Sequence, residues 1–358
     1  MPGYLDHAAT TPLRPDAVDA MLPWLTDRFG NPSGAHRVAQ AARQAIDEAR
    51  DVVADCLGCR ARDVVFTGGG TESDNLAIAG AAGDGLVACG ATEHHAVLHS
   101  VERVGGVTVP VLADGRLDAG AIPSGVALLS VMLANNEVGT INELPVTDAL
   151  VHTDAVQAVT WLDVAAAAAR ADLVSVTGHK IGGPQGCGAL VVRDGVKLSP
   201  LIVGGGQEQE RRSGTHNVAG IVGFAAALRA CTESRDSTVA RVGALRDRLA
   251  DGLLAAVPGC VESGDRQTKV AGICSLLLEG IESESLLFLL DEAGICATAA
   301  SSCASGALEP SHVLAAMGVP RELAKGSLRL SLGWSSTDDD VDLALDVIPR
   351  AVSRLRGS

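Results

Sequence analysis

The stretch Val126–Leu133 (VALLSVML) is apolar throughout except at Ser130. A strand with one face in water alternates apolar and polar side chains, whereas a strand covered on both faces has no such alternation. The run predicts a strand inside a sheet with helices above and below it. Shorter segments extend the pattern. Asp63–Thr67, Leu150–Thr153, Leu173–Thr177 and Gly188–Val192 read as further strands, rich in Val and Leu. Helical patterns lie between and after them. Ala35–Leu57 reads as an amphipathic helix capped by Ser33 and stopped by Gly58. Thr71–Ala82, Asn217–Cys231 and Val239–Val257 follow. Such alternation implies an α/β chain with a mostly parallel sheet between helices.

Later elements are sparser. Ile273–Leu278 and Leu328–Leu332 read as strands, and Thr337–Arg354 as a final helix. The polar stretch Glu233–Ser237 marks the change, so a domain boundary is expected near residue 235. That gives a large domain over 15–235 and a smaller one from 1–14 with 236–358. At 358 residues and 47% apolar, the chain can fill two such cores. Aromatic residues make up only 2%, so those cores must be built of Ala, Val, Leu and Ile.

Charge and cysteine usage narrow the function classes. The net charge of −15 argues against a general nucleic-acid binder, which needs clustered Lys and Arg. No stretch of about 18 apolar residues is present, and Met1–Thr10 lacks a signal pattern, so a cytoplasmic protein with no membrane contact is expected. The nine cysteines, an odd number, read as reduced thiols.

Three motifs carry chemistry. Thr67-Gly68-Gly69-Gly70-Thr71-Glu72-Ser73 follows a strand and opens a helix, where free N–H groups attract phosphate. It has neither the Walker nor the dinucleotide spacing. Taken alone, a tight turn without a ligand explains it equally well. Asp154, in Val151–Gln157, sits at the carboxyl end of a buried strand, where α/β sheets bind ligands. A protonated ring nitrogen would pair it, although a helix cap explains it as simply. Lys180 is one of only four lysines and follows the apolar strand Leu173–Thr177. An amine there is costly unless it is used chemically, as in a Schiff base; the plainer alternative is a lysine that snorkels to the surface. Together the three match the requirements of pyridoxal phosphate.

The wider set of motifs resembles the cysteine desulfurases of the class V aminotransferase family. It comprises Tyr4–Thr11 (YLDHAATT), Gly30–Ser33, Gly70–Asn75, Thr92–His94, Asn135–Gly139, Asp154–Gln157, Gly178–Lys180 and Arg212–Thr215. Ser301–Gly306 (SSCASG), Leu308–Leu314 and Leu328–Ser331 resemble the NifS/IscS-like group. The resemblance implies the type I fold of pyridoxal-phosphate transferases, with a seven-stranded, mostly parallel sheet and a smaller α+β domain. It implies that Lys180 carries the cofactor as a Schiff base, Asp154 pairs with the pyridine nitrogen, and Gln157 with the phenolic oxygen. Gly70, Thr71, Thr177 and His179 would hold the phosphate. Thr215 would reach the phosphate in a neighbouring subunit, which implies a homodimer. His94 would stack on the ring and assist proton transfer, Asn136 would contact the cofactor, and Asn31 with Arg329 would fix the substrate carboxylate. Cys303, in the small-residue run Ala297–Leu308, would be the nucleophile that takes sulfur from L-cysteine, leaving L-alanine and a persulfide for a sulfur-acceptor protein. Iron–sulfur cluster assembly is one destination for that sulfur, and transient cluster ligation by Cys303 goes with it. Selenocysteine lyases and other family members share the cofactor motifs and are the alternative.

Two departures from the family pattern stand out. The segment between Glu137 and Asp154 is short, so a helix there is expected to be trimmed or replaced by a loop. Glu210 stands where glycine is common. Two rival motifs carry less. His95 and His99, four apart on a helix, suggest a metal site but lack the zinc-hydrolase order. Cys56 and Cys59 suggest a redox pair but fall at a helix C-terminus, where packing is the better explanation.

Overall fold

A computed structural model of the chain describes residues 3–299 and 311–357. Its strands in chain order are β1 Gly3–Tyr4, β2 Val64–Thr67, β3 Leu86–Gly90, β4 Val107–Val109, β5 Val126–Ser130 and β6 Leu150–Asp154. There follow β7 Leu173–Thr177, β8 Gly188–Val192, β9 Cys260–Glu262, β10 Ile273–Leu278, β11 Ile295–Cys296 and β12 Ser327–Ser331. Seven of them form one sheet in the order β2-β8-β7-β6-β5-β3-β4. Only β8 runs against its neighbours; β7, β6, β5, β3 and β4 are mutually parallel.

Period-two alternation splits the strand side chains between two apolar layers. Val64, Phe66, Leu129, Val131, Val174 and Val176 enter one layer with Phe224 and Leu228 of the helix Val218–Glu233. Val65, Leu128, Leu173 and Leu190 enter the other, with Leu76 and Ile78 of the helix Gly70–Ala81. With apolar partners on both sides, no strand position here can be polar without a buried partner. Past Ser130 the β5 backbone still donates from Val131 to His152 and from Leu133 to Asp154. The apolar run is therefore used to its end.

β12, β10 and β9 form a second, antiparallel sheet. Its core includes Val242, Leu249 and Leu253 of the helix Arg235–Ala256, and Val341, Ala344 and Ile348 of the helix Asp338–Arg356. The N-terminal segment joins the two sheets. β1 pairs with β11, Ser331 donates its N–H to Leu5 O, and the Ala8 N–H donates to Ser331 Oγ.

Two local expectations shift, and the expected loop before β6 forms. The helix after Ser33 begins at Arg37, and its cap is His36, whose Nδ1 accepts from the Ala39 N–H at 3.3 Å. The turn before it uses up the Ser33 N–H on Asn31 Oδ1. The C-terminal stop holds: Gly58 has φ 64°, and its N–H reaches back to Ala54 and Asp55 carbonyls. The polar stretch at 233–237 is a direct junction of two helices at Ser234. Between Glu137 and β6 no helix forms; the chain runs as a loop with Val146 exposed, and Asp154 still ends its strand.

Candidate active site

The parallel strands, and β2, which runs with them, end at one edge of the large sheet. There the backbone leaves the ladder and a cleft of 730 Å³ opens. β2 leads into Gly68–Gly70, β3 into Glu93 and His94, β5 into Met132 and Asn136, β6 ends at Asp154, and β7 leads into His179 and Lys180. Arg329 enters from β12 and Asp6 from the N-terminal segment. Ten residues singled out in the sequence line this cleft: Gly70, Thr71, His94, Asn136, Asp154, Gln157, Thr177, His179, Lys180 and Arg329.

Two others lie elsewhere. Asn31 is exposed outside the cleft and engaged with Ser33, so within one chain it does not join Arg329. Thr215 is exposed on the loop after Arg212. Cys303 lies outside the described residues.

The glycine loop is shaped for close approach. Gly69 has φ 141°, a region that penalises any side chain. A Cβ on Gly70 would meet Val156 Cγ2 at 2.8 Å. Thr67 Oγ1 and Ser73 Oγ, 2.7 Å apart, tie the loop to the helix it opens. Glu72 accepts from the Gly68 N–H at 2.8 Å and is neutralised by the Arg212 guanidinium at 2.8 and 3.2 Å.

Lys180 Nζ donates to the carbonyls of Ala8 and Ala9. Gln157 donates to Ala8 O at 2.7 Å. The carboxyl of Asp154 is buried, and burial pushes it up to about 6 against the pull of the Val156 N–H and Lys180. Behind it lie two more buried carboxyls. Asp74 is driven well above its ordinary range by burial and by Asp154. Glu93 is pushed up to about 8 by the same two causes. Asp74 Oδ1 and Glu93 Oε2 have no hydrogen-bond partner among the described residues. Three buried carboxyls this close cannot all ionise, so the charge belongs to the one with cationic help, Asp154.

His94 caps the helix His95–Arg103, and its Nδ1 accepts from the Ala96 N–H at 3.1 Å. That bond leaves the ring proton on Nε2. Burial, with Lys180 and neighbouring imidazoles, lowers its pKa to about 4. His94 is therefore a neutral ring whose one basic nitrogen is engaged. His95 and His99 stack at 5.2 Å, with His312 at 4.5 Å from His95; among the described residues no cluster is arranged to hold a metal. Cys56 and Cys59 pack against the large-sheet core, and burial raises both thiols, Cys59 to about 11.

A family model for aminotransferase class V matches residues 3–344. The chain belongs to the class V aminotransferase family. Within that family it is 45% identical to the IscS-like cysteine desulfurase of Mycobacterium tuberculosis, over 99% of this chain and 97% of that protein. It is 43% identical to the cysteine desulfurase IscS of Methanosarcina thermophila, over 99% and 92%. A solved NifS-like protein superposes with a TM-score of 0.91 at 31% identity, covering 99% of this chain and all of that one.

Class V aminotransferases of this kind depend on pyridoxal phosphate, and the residues here fit it. The buried Asp154 carboxylate offers its charge where a protonated ring nitrogen would pair it. The glycine loop can admit an anion where a side chain would block it. Lys180 supplies the amine.

Sequence reasoning missed several members of this neighbourhood. The Glu72–Arg212 clamp and the buried acids Asp74 and Glu93 fall inside quoted motifs but had no role assigned. Glu208 was not singled out by any motif. It is buried and accepts from Arg50 at 2.7 and 2.8 Å, from the Phe66 N–H at 2.9 Å and from His216 at 2.7 Å. It anchors the loop that carries Thr215.

Proposed function

We propose that the chain is a pyridoxal-phosphate-dependent cysteine desulfurase that moves sulfur from L-cysteine to Cys303 and releases L-alanine. The observation that carries this is the single cleft holding Lys180, buried Asp154 and the guanidinium of Arg329, in a chain 45% identical to an IscS-like cysteine desulfurase.

When bound, the cofactor supplies an electron sink that makes the substrate Cα–H acidic. The protein's own residues do the rest. Gly70, Thr71, Thr177 and His179 hold the phosphate, Asp154 keeps the ring nitrogen protonated, and Gln157 and Asn136 orient the ring. Neutral His94 covers the ring face as an uncharged plane. Lys180 moves the Cα proton, because His94 Nδ1 is engaged with Ala96. Arg329 fixes the substrate carboxylate. The Cys303 thiolate attacks the substrate Sγ; the Cβ–Sγ bond breaks, its electron pair stays with the carbon skeleton, and protonation gives L-alanine. Cys303 keeps the sulfane sulfur as a persulfide for an acceptor protein.

Exposed Phe29, Val203 and Leu25 support a homodimer in which Thr215 and Asn31 serve the partner's site. The separate cores of the two sheets support a division into 15–235 and 1–14 with 236–358. No helix among the described residues is long and apolar enough to cross a membrane. The eight described cysteines are all free, which supports a reducing, cytoplasmic setting.

The test gives the cofactor-loaded protein L-cysteine and a reductant and measures alanine and sulfide. Both should form. Cys303→Ala should retain cofactor and release no sulfide, and Lys180→Ala should lose the borohydride-reducible cofactor link. Sulfide release by Cys303→Ala at the wild-type rate would remove Cys303 as nucleophile. A loaded wild-type protein that yields neither product would overturn the desulfurase assignment.

A further inference from the structure

Arg329 is 3% exposed, and its guanidinium is only partly used. Nη1 donates to Asn136 O at 2.9 Å, and Nη2 donates to Asp6 Oδ1 at 2.8 Å. Nε, on the same edge as Nη2, is buried with no hydrogen-bond partner among the described residues. A buried N–H without an acceptor is costly. Nη2 is thus the shared corner of the guanidinium, and its acceptor is an acid that lines the cleft.

Asp6 faces the same cleft and is partly open to it, its side chain 22% exposed. It sits two residues before Ala8, whose carbonyl holds Lys180. Its backbone is fixed by a bridge to Ser331, and its carbonyl accepts from the Ala9 N–H. A fixed carboxylate beside a fixed guanidinium, with an amine two residues along, is a charge pattern complementary to a zwitterion.

We propose that Asp6 is a specificity-determining residue that recognises the α-ammonium of the incoming amino acid while Arg329 takes its α-carboxylate. This deepens the desulfurase reading above and rests on it for the substrate class. Arg329 Nη2 and Asp6 Oδ1 satisfy each other in the absence of substrate. An α-amino acid brings both opposite charges, so its carboxylate takes the guanidinium at Nη2 and its ammonium takes over the Asp6 oxygen. A carboxylic acid lacking the amine can also reach Arg329, but it then leaves Asp6 unpaired against a second anion, which disfavours it.

The test compares L-cysteine with 3-mercaptopropionate, which keeps the thiol and carboxylate and lacks the ammonium. Both are studied on the cofactor-loaded protein: L-cysteine by KM and kcat, 3-mercaptopropionate by its inhibition constant and by calorimetric titration. In Asp6→Asn the KM for L-cysteine should rise about 10-fold or more, the loss expected for one charge-assisted hydrogen bond. kcat should change little. 3-Mercaptopropionate should bind several-fold tighter than to wild type. Asp6→Glu, which restores the charge, should recover the preference for the amino acid. If both ligands tighten in Asp6→Asn, Asp6 merely competes for Arg329 and the proposal is wrong. If both weaken alike, Asp6 only props the guanidinium, and the proposal is equally wrong. A loaded wild-type protein that does not consume L-cysteine counts against the desulfurase reading instead; L-alanine and propionate then serve as the matched pair for Asp6.

Discussion

Glu208 offers the sharpest test of what holds the Thr215 loop in place. Its carboxylate is nearly sealed from solvent, and Arg50, His216 and the Phe66 N–H lower its pKa from 4.5 to about 2 against the cost of burial. That displacement corresponds to about 3 kcal/mol in favour of the folded, ionised form. Breaking a buried ion pair by removing one charge costs a similar ~3–5 kcal/mol. Glu208→Gln keeps the shape and removes the charge, so it should lower stability at pH 7 by about 3 kcal/mol. Because the folded-state pKa is depressed, this contribution is present in full above pH 4.5 and is lost as pH falls towards 2. The gap between wild type and variant should shrink to about 1 kcal/mol at pH 3. Urea unfolding of the cofactor-loaded protein at several pH values reads it, with equal slopes checked first. Arg50→Lys keeps the charge but gives up the two-point contact, and should fall between the two. A variant as stable as wild type at pH 7 would refute the ionic account. So would a gap at pH 3 as large as at pH 7.

Further expectations concern the same loop and the cleft. Glu208, Gln209 and Glu210 have φ of 52°, 58° and 66°, a left-handed run that costs a side-chain-bearing residue about 1–2 kcal/mol each. Glu210→Gly should therefore stabilise the protein by about 1 kcal/mol, read as a higher unfolding midpoint, since Glu210 is exposed and gives up no buried contact. Asp154→Asn should weaken retention of pyridoxal phosphate by about 10–100-fold, measured by equilibrium dialysis. His7, His94 and His179 are all lowered to about 4 by burial, so the unfolded chain binds more protons and stability should drop as pH falls below 6.5. Glu93, raised from 4.5 to about 8, acts in the opposite sense: its contribution is full below pH 4.5 and is lost as pH rises from there to about 8, and Glu93→Gln should flatten that decline in a thermal-melt series.

The strand β5 was legible because burial on both faces erases alternation, and that erasure is itself a signal. Lys180 and Asp154 were legible for the opposite reason, as charged groups at the ends of apolar strands. What escaped is held by pairings between distant residues. Arg50 and Glu208 are 158 residues apart, and Asp6 and Arg329 are 323 apart; nothing local in either partner names the other. The cap at His36 escaped because an imidazole nitrogen can do the work usually given to a hydroxyl. The junction at Ser234 escaped because polar residues serve a solvated helix as readily as a linker. The glycine-to-Glu210 departure was visible, and its positive φ now explains why glycine suits that position.

The path of the N-terminal segment has a consequence for biosynthesis. Ala8 and Ala9 hold Lys180, yet the Ala8 amide is itself secured by Ser331 Oγ, 323 residues later. At about 5–20 residues per second, the ribosome needs roughly 15–65 s to deliver that partner. Until then the nascent chain can assemble the large sheet, but not the frame around its reactive lysine. Chemistry in this protein is thereby tied to completion of translation, and a truncated product would carry the lysine without its setting.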